Sequence, residues 1–437
     1  MPLHPRPRRL ATAALTVALL ALIAGCTQSY PESVFHNRTD FNRDVTSLFY
    51  LIIGLGTVVF VFVESLLVWT IWKYRARPGM PEPEHVHGNT KLEITWTAIP
   101  ALILMFIAIP TVRTIFRTEG RAPMNNVLHV HVIGHQWWWE FQYPDYNITT
   151  ANELYLPQGR TAEFELTSAD VIHSFWVPAL GGKRDVVTNH TNYLWFTPDS
   201  TQPDAFDGTC AEYCGTSHGN MRFRAFVVTA QDFDSWVKNQ QAGAAMVPPM
   251  PAPATPAPTP QPGGKSAPGS AATTAAVPVP LGLAPSATAM PLTQVSFTRF
   301  PADKIPDYAK PNTPTPDGLT FDENLKGDPL NGAKLMMGAG GCNACHFIKG
   351  NPMMVGQTAP NLTHIASRTT FAGALYPNDA KHLELWIKNA RMMKPGVIMP
   401  TLGMGQYDPE AKMRLPAGMG LRDQQIADIV AYLQLLK

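Results

Sequence analysis

The sequence predicts a multidomain protein in which a transmembrane helical hairpin precedes an all-β domain and an all-α C-terminal domain. Three observations support this fold class: two long apolar segments in the first third of the chain, short alternating apolar runs in its middle, and apolar residues at helical spacing near its end. At 437 residues, the chain is long enough for two or three domains with linkers.

The first 25 residues have the features of an export signal. Three arginines precede an apolar run from Leu10 to Ala24, which is too short for a comfortable membrane span. The run ends in Ile-Ala-Gly-Cys, which resembles a bacterial lipoprotein processing box, so we expect Cys26 to be the first mature residue and to carry lipid. The alternatives are cleavage by ordinary signal peptidase and an uncleaved anchor.

Residues 26–122 are predicted to form a membrane anchor with two transmembrane helices. The apolar segments at residues 47–72 and about 94–115 are long enough to cross a hydrocarbon core of about 30 Å. Basic residues lie between them, which predicts that this loop is cytoplasmic: Lys73, Arg75, Arg77 and Lys91. The chain then continues on the outer face.

Residues 123–241 change to short alternating runs, such as 127–132 and 223–228, which predict an antiparallel β-sandwich or barrel. Residues 242–317 are predicted to be a tether, because Pro, Ala, Thr, Ser and Gly dominate its low-complexity part and cannot bury enough apolar surface to fold. In the last part, residues 318–437, helices are predicted at 332–337 and 421–436.

The net charge and the cysteine content limit the classes of function that the sequence suggests. The net charge of +1 gives no reason to expect a nucleic-acid partner. Four of the five cysteines form two close pairs in a long chain, which indicates metal or cofactor attachment more than a disulfide scaffold.

The first pair belongs to the segment CAEYCGTSHGNM. Cys210, Cys214, His218 and Met221 lie within a dozen residues, and a second imidazole, His173, is available upstream. Thiolate and thioether sulfur combined with imidazole select copper, particularly Cu(I). The alternatives are a local disulfide and a mononuclear blue-copper site, which needs only one thiolate.

These residues resemble the dinuclear copper A motif of the cytochrome oxidase subunit II family, whose fold is a cupredoxin-like barrel. The resemblance implies that Cys210 and Cys214 are bridging thiolates, and it implies three further side-chain ligands: His173 and His218 as terminal ligands and Met221 as a weak axial ligand. Glu212 would bind through its backbone carbonyl, and its side chain matches a residue that reaches magnesium at the interface with the catalytic subunit. Quinol-oxidising relatives lack these ligands, so their presence argues against a quinol oxidase.

Three further residues take their interpretation from the same family. Trp137, in the cluster GHQWWWE, matches the residue where electrons enter, although such clusters are usually core or membrane-interface residues. Glu93 matches the mouth of a proton path, although a Glu at a helix N-terminus is also simply favourable with the helix dipole. Glu64 lies inside the first span and is expected only to contact a neighbouring subunit.

The second cysteine pair belongs to the haem c attachment motif Cys342-Asn343-Ala344-Cys345-His346, in which His346 is an axial ligand. Met399, in KPGVIMP, resembles the sixth ligand of class I cytochromes c, and a thioether raises the haem potential. Other methionines compete on sequence grounds but are read as packing or surface residues: Met392, Met393, Met404 and Met419. A thioredoxin-like motif is the alternative, but it lacks a βαβ context. The segment 359–362 resembles the loop after the haem and would place Arg368 near a propionate.

The two motifs together imply the electron-entry subunit of a respiratory haem–copper cytochrome c oxidase, with a fused cytochrome c domain and with dioxygen reduction in another subunit. Expected partners are subunit I and other oxidase subunits, a soluble or membrane cytochrome donor, and membrane lipid. The expected location is the bacterial plasma membrane, with both redox domains on the periplasmic face. The alternatives are the copper A subunit of a nitric oxide reductase and an assembly lipoprotein that binds copper or haem.

Overall fold

The structure, a computed structural model, describes residues 16–17, 33–82, 87–122, 126–199, 203–244, 299–416 and 418–437. Cys26 and its predicted lipidation therefore lie outside the described residues, as does most of the predicted tether.

Two long helices form the N-terminal part of the described chain. Helix α1 (Asp40–Lys73) begins after Thr39, whose side chain accepts from the Asn42 backbone, and helix α2 (Thr90–Glu119) begins after the capping residue Asn89. Both are long and apolar enough to cross a membrane, with mean hydropathies of 2.5 and 2.0. The predicted helical hairpin is confirmed.

The outer ends of both helices are attached to the domain that follows, which we call the β-domain (residues 126–244). Near the start of α1, Phe41 is buried in the β-domain core, and the Asn42 amide donates to the Pro178 carbonyl at 2.7 Å. At the end of α2, Arg184 pairs with Glu119 at 2.6 Å. The β-domain therefore lies on the side of the hairpin where α1 begins and α2 ends.

The β-domain is a sandwich of two five-stranded sheets, with strand orders β3-β2-β1-β5-β8 and β4-β10-β9-β6-β7. Helix α3 (Ala230–Gln241) packs against this sandwich. The strands are β1 (Leu128–His135), β2 (Trp138–Tyr143), β3 (Ile148–Ala151), β4 (Glu153–Pro157), β5 (Ala162–Ser168), β6 (His173–Trp176), β7 (Arg184–Val186), β8 (Asn192–Phe196), β9 (Asp204–Cys210) and β10 (Arg222–Val228).

The side-chain period of two explains how each sheet contributes to the core. Leu128, Val130 and Val132 of β1 are fully buried, while the intervening His129 and His131 point outward. Strands β1 and β5 pair in parallel, and so do β4 and β10, although most neighbours are antiparallel. The predicted cupredoxin-like β-sandwich is confirmed.

The C-terminal domain (residues 318–437) contains helices α4 (Pro329–Met337), α5 (Ala380–Met393) and α6 (Asp423–Leu433), with two short hairpins, β11 (Thr370–Phe371) with β12 (Tyr376–Pro377) and β13 (Tyr407–Asp408) with β14 (Met413–Arg414). Helices α4 and α6 pack closely because Gly332 lies against α6: a Cβ there would be 1.9 Å from the Asp428 carbonyl oxygen. This confirms a helical C-terminal domain.

Residues 299–309 belong structurally to the β-domain, although the sequence assigns them to the tether at 242–317. Phe300, Ile305 and Ala309 are buried in the β-domain core, and the Phe300 ring lies 4.8 Å from that of Phe226. Two short 3-10 turns join these apolar residues. The sequence pattern missed the packing because only a few apolar residues are involved and they have no regular period.

Candidate copper centre and haem site

The cysteine-rich segment forms a loop between two core strands, which we call the copper loop (residues 210–221). Strand β9 ends at Cys210, and the Cys210 backbone N–H donates to the Met221 carbonyl at 3.0 Å, which closes the loop before β10. His173 begins β6, the neighbour of β9 in the same sheet. The fold therefore brings a distant histidine beside the cysteines.

One half of the site is built around Cys210. Its Sγ lies 3.9 Å from His173 Nδ1 and 3.2 Å from the Glu212 carbonyl oxygen. His173 is fully buried, and its other ring nitrogen, Nε2, is 2.7 Å from Asp170. Such a carboxylate contact sets the orientation of a ligating imidazole and leaves Nδ1 for the metal.

The other half is built around Cys214. Its Sγ lies 3.7 Å from His218 Nδ1 and 3.8 Å from the sulfur of Met221, which is fully buried. The two cysteine sulfurs are 3.7 Å apart. Each thiol therefore contacts a different imidazole, and the two cysteine sulfurs lie in the middle of the site, between the two histidines.

The chemistry of this donor set fits a pair of copper ions. His173, Cys210 and Cys214 are all buried, and their donor atoms lie within 4.8 Å of one another. The contact between the two thiols lowers the pKa of Cys210, assisted by His173 and opposed by burial, and raises the pKa of Cys214. Cys210 is therefore the first of the pair to ionise, and the thiolate is the form that binds a metal.

Trp137 lies directly on the copper loop. Its indole N–H donates to the Cys214 carbonyl at 3.0 Å, and the neighbouring Gln136 amide donates to the same oxygen at 2.7 Å. The other two tryptophans of the cluster have structural positions: Trp138 stacks on His135 at 4.2 Å, and Trp139 is fully buried. The buried Trp139 also donates to the copper loop, at the Met221 carbonyl (3.3 Å), but Trp137 is the one of the three that donates to a cysteine carbonyl.

In the C-terminal domain, the CxxCH motif lies on a short 3-10 turn (Cys342–Ala344) after α4. The His346 Nδ1 is 2.8 Å from the Pro360 carbonyl, which leaves Nε2 available as a ligand. Burial lowers the pKa of His346, which favours the neutral, ligating imidazole. The half-buried Met399 packs against the same core cluster. These side chains could hold a haem c through two thioethers and two axial ligands.

Arg368 is buried and donates a short hydrogen bond to the Asn361 carbonyl, one residue beyond the Pro360 that contacts His346. Burial lowers its pKa to about 10, partly offset by the charge of Glu153. The family resemblance predicts that a haem propionate would lie in this part of the structure, near Arg368.

Two buried residues at the contact between the domains, Lys394 and Glu153, have no predicted role from the sequence. Lys394 is 2% exposed, and its Nζ donates to the Trp137 carbonyl at 2.6 Å and to the Ala372 carbonyl at 3.1 Å. Glu153 is also buried, and its Oε1 accepts from the Thr369 N–H at 2.7 Å and hydroxyl at 2.6 Å, and from the Thr370 N–H at 3.2 Å. Glu153 lies in no recognisable motif, and Lys394 begins the KPGVIMP segment, whose pattern gives no sign of a contact with Trp137, so only the long-range contacts reveal what these two residues do.

Glu64 and Glu93, the acidic residues of the membrane helices that the sequence singles out, are both exposed in the described chain. Glu93 is in the first turn of α2, where Asn89 caps the Leu92 N–H at 3.2 Å. Glu64 lines a shallow groove on α1 together with Trp69 and Trp72. Neither position tests a proton path or a subunit contact.

Comparison with known proteins gives three family matches in chain order. Residues 38–114 match the transmembrane domain of cytochrome c oxidase subunit II, residues 147–229 match its periplasmic domain, and residues 330–437 match cytochrome c.

Among similar proteins, cytochrome c oxidase subunit 2 of Alkalihalophilus pseudofirmus is 30% identical over 81% of this chain and 82% of its own length. The protein of the same name from Bacillus sp. strain PS3 is 42% identical over 38% of this chain and 51% of its own length. Quinol oxidase subunit 2 of Bacillus spizizenii is 34% identical over 52% of this chain and 72% of its own length.

A solved structure, the periplasmic domain of subunit II of cytochrome oxidase of Bradyrhizobium japonicum, is 31% identical over 26% of this chain and 93% of its own, with a TM-score of 0.25. The family matches and the two apolar helices together indicate a membrane-anchored protein with an outer domain. The order of the matched domains and the relative that aligns over four-fifths of the chain lead to one conclusion: the chain belongs to the cytochrome c oxidase subunit II family, with a cytochrome c domain at its C-terminus.

Proposed function

We propose that this chain is the electron-entry subunit of a respiratory cytochrome c oxidase in a bacterial plasma membrane. When bound, haem c and the copper A pair supply one-electron redox chemistry, which carries electrons from a cytochrome donor to subunit I for dioxygen reduction coupled to proton translocation. The chain's own residues hold these groups, set their distance and exclude water.

The copper-binding role is supported by the complete donor set. Two thiols, two imidazoles, a thioether and the Glu212 carbonyl converge, and a quinol-oxidising subunit would have no use for this set. Glu212 is exposed beside the site, so its carboxylate is free to reach magnesium at the surface of a neighbouring subunit.

The observation that carries the proposal is the position of Trp137 between the two sites. On one side its indole N–H donates to the Cys214 carbonyl of the copper loop. On the other side lies Gly396, where a Cβ would be 2.9 Å from two ring carbons, and Gly396 is three residues from Met399. One aromatic ring therefore contacts both the copper loop and the loop of the predicted haem ligand.

Glu93 is the residue we assign to proton entry. It lies in the first turn of α2, at the end of the hairpin away from the β-domain, near Lys91 and the predicted cytoplasmic loop. A carboxylate at this level can collect protons from the inside and pass them to subunit I. The exposed groove at Glu64 would contact the same neighbour.

The test is purification of the complex from its own membrane. We expect covalent haem c, near-infrared copper A absorption, and oxygen uptake driven by a reductant without added soluble cytochrome c. A complex that reduces nitric oxide but not dioxygen would show a nitric oxide reductase instead. Recovery of the chain alone, without an oxidase subunit, would favour the assembly lipoprotein.

A further inference from the structure

We propose that Lys394 is a positioning residue that holds the Met399 loop (residues 394–400) against Trp137, so that the C-terminal domain works as a permanently docked module and not as a carrier that meets the copper site by diffusion. This inference rests on the proposed function and adds to it the contact that sets the distance between the two redox sites.

The Lys394 ammonium depends on both domains for its hydrogen bonds. It is almost completely buried, and a buried amine must be satisfied by hydrogen bonds. Its two carbonyl partners lie in different domains, Trp137 in the β-domain and Ala372 in its own. Burial lowers the pKa of Lys394 to about 7, opposed by the nearby Cys214. Separation of the domains would therefore break a contact that forms only when they are docked.

The residues that follow Lys394 fit closely against the β-domain. The Ser217 hydroxyl of the copper loop donates a short hydrogen bond to the Pro395 carbonyl. Gly396, with φ +85°, leaves no room for a side chain between its backbone and Trp137, and a Cβ there would also be 3.2 Å from Thr216 Cβ. Three successive residues of the Met399 loop thus contact the surface of the β-domain.

Separate contacts prevent rotation of the C-terminal domain about this loop. Glu153 accepts three hydrogen bonds from Thr369 and Thr370, and the Asn361 amide donates to the Thr149 carbonyl at 3.0 Å. Asn361 follows Pro360, whose carbonyl contacts His346. The loops of both predicted axial ligands are therefore attached to the β-domain, which defines one orientation.

The experiment compares Lys394→Met with Lys388→Met in the full-length purified complex. Lys388 is a matched control because it is 3% exposed, but its amine contacts the Thr320 carbonyl at 2.7 Å and Asp423 at 2.9 Å, and both of these partners among the described residues belong to the C-terminal domain. The measurement is the rate of electron equilibration between haem c and copper after rapid photoreduction of the haem, with the haem potential and both absorption spectra recorded.

We expect Lys394→Met to slow equilibration severalfold, because the Met399 loop is then free to move away from Trp137 and electron transfer falls steeply with distance. The spectra and the haem potential should not change, and the slowed rate should become dependent on solvent viscosity. Lys388→Met should transfer at the wild-type rate. A wild-type rate in Lys394→Met would overturn the inference, whereas an absence of haem-to-copper transfer in the wild-type complex would overturn the proposed function itself.

If Lys394→Met does not assemble, Gly396→Ala provides the same test with Gly405→Ala as its control. Both glycines have positive φ, +85° and +71°, so both substitutions carry the backbone cost, but a Cβ at Gly405 meets nothing within 4 Å. Slower transfer in Gly396→Ala alone supports the docked module, and equal rates in the two variants contradict it.

Discussion

The copper site and the haem site of this chain are organised in different ways. The predicted copper donors come from a buried loop and an adjacent strand of one β-sheet, and the contacts that join them to the cysteine sulfurs are 3.2–3.9 Å long. The predicted haem ligands come from separate loops around a helical core, where His346 contacts the Pro360 carbonyl and Met399 is only half-buried.

This difference indicates what each part of the protein must provide. A dinuclear copper pair has no framework of its own, so the sandwich must set the positions of six ligands. A haem is a rigid ring attached through two thioethers, so the C-terminal domain needs only to supply a pocket and two axial side chains. We therefore expect substitutions at the copper site to abolish its signature, and substitutions at the haem site to modify its properties.

The largest effect is expected from Cys214→Ser, which removes the sulfur that contacts both His218 and Met221. The mixed-valence near-infrared absorption should be lost completely, while haem c keeps its normal spectrum because its ligands lie in another domain. Absorption spectra and metal analysis of the purified complex measure both. An unchanged near-infrared band would contradict the copper assignment.

The next effect is expected from Met399→Ala. Loss of the thioether opens the sixth position, so the haem potential should fall by about 100 mV or more and the haem should bind added ligands such as cyanide. Met404→Ala is the control, because Met404 is 38% exposed and lies in the same region of the sequence. Redox titration decides between them, and a fall in potential caused only by Met404→Ala would mean that the axial ligand has been misassigned.

Glu93→Gln should affect neither site and still lower turnover. Gln keeps the shape and much of the hydrogen bonding of Glu but carries no proton at ordinary pH. If Glu93 collects protons, steady-state oxygen reduction should fall severalfold with full haem and copper content. If it only stabilises the start of α2, worth about 0.3–1 kcal/mol, turnover should be normal.

The smallest effect is expected from substitution of Glu153, which lies where the β-domain and the C-terminal domain meet. Burial raises the pKa of Glu153, although the hydrogen bonds from Thr369 and the charge of Arg368 oppose the rise. A raised pKa in the folded state gives stability that is complete below the unfolded pKa of about 4.3 and is lost as pH rises through the folded value.

Glu153→Gln should remove this pH dependence and change the stability by no more than about 1.5 kcal/mol, because the amide oxygen can still accept from Thr369 and Thr370. The measurement is thermal unfolding of wild type and variant across a pH series. Parallel curves for the two proteins would show that Glu153 does not titrate in this range.

Local sequence patterns were sufficient to predict the helices and strands whose formation depends on neighbouring residues in the chain. Apolar length predicted α1 and α2, alternation predicted β1 and β10, and helical spacing predicted α4 and α6. The patterns did not predict α5, which is mostly buried and has a break in its helical backbone at Asn389. The cysteine, histidine and methionine residues could be identified because cofactor ligands are few in kind and keep narrow spacings.

The contacts between domains could not be predicted in this way. Lys394 and its partner Trp137 are 257 residues apart, and a lysine that donates to a backbone carbonyl imposes no pattern on either segment. The same applies to Phe300, whose burial depends on the surface of a sheet built from residues more than 70 positions earlier. Such contacts depend on the folded surfaces of both partners and not on local propensity.

The close contact of Gly396 with Trp137 has a consequence for competition among electron donors. Under the proposed function, a free cytochrome in the periplasm cannot approach the indole ring from the side that the Met399 loop covers. Foreign redox proteins that meet the protein on that side, even at high abundance, would have to deliver their electrons to the attached cytochrome first. The organism could then change its soluble carriers without altering the final transfer into the oxidase.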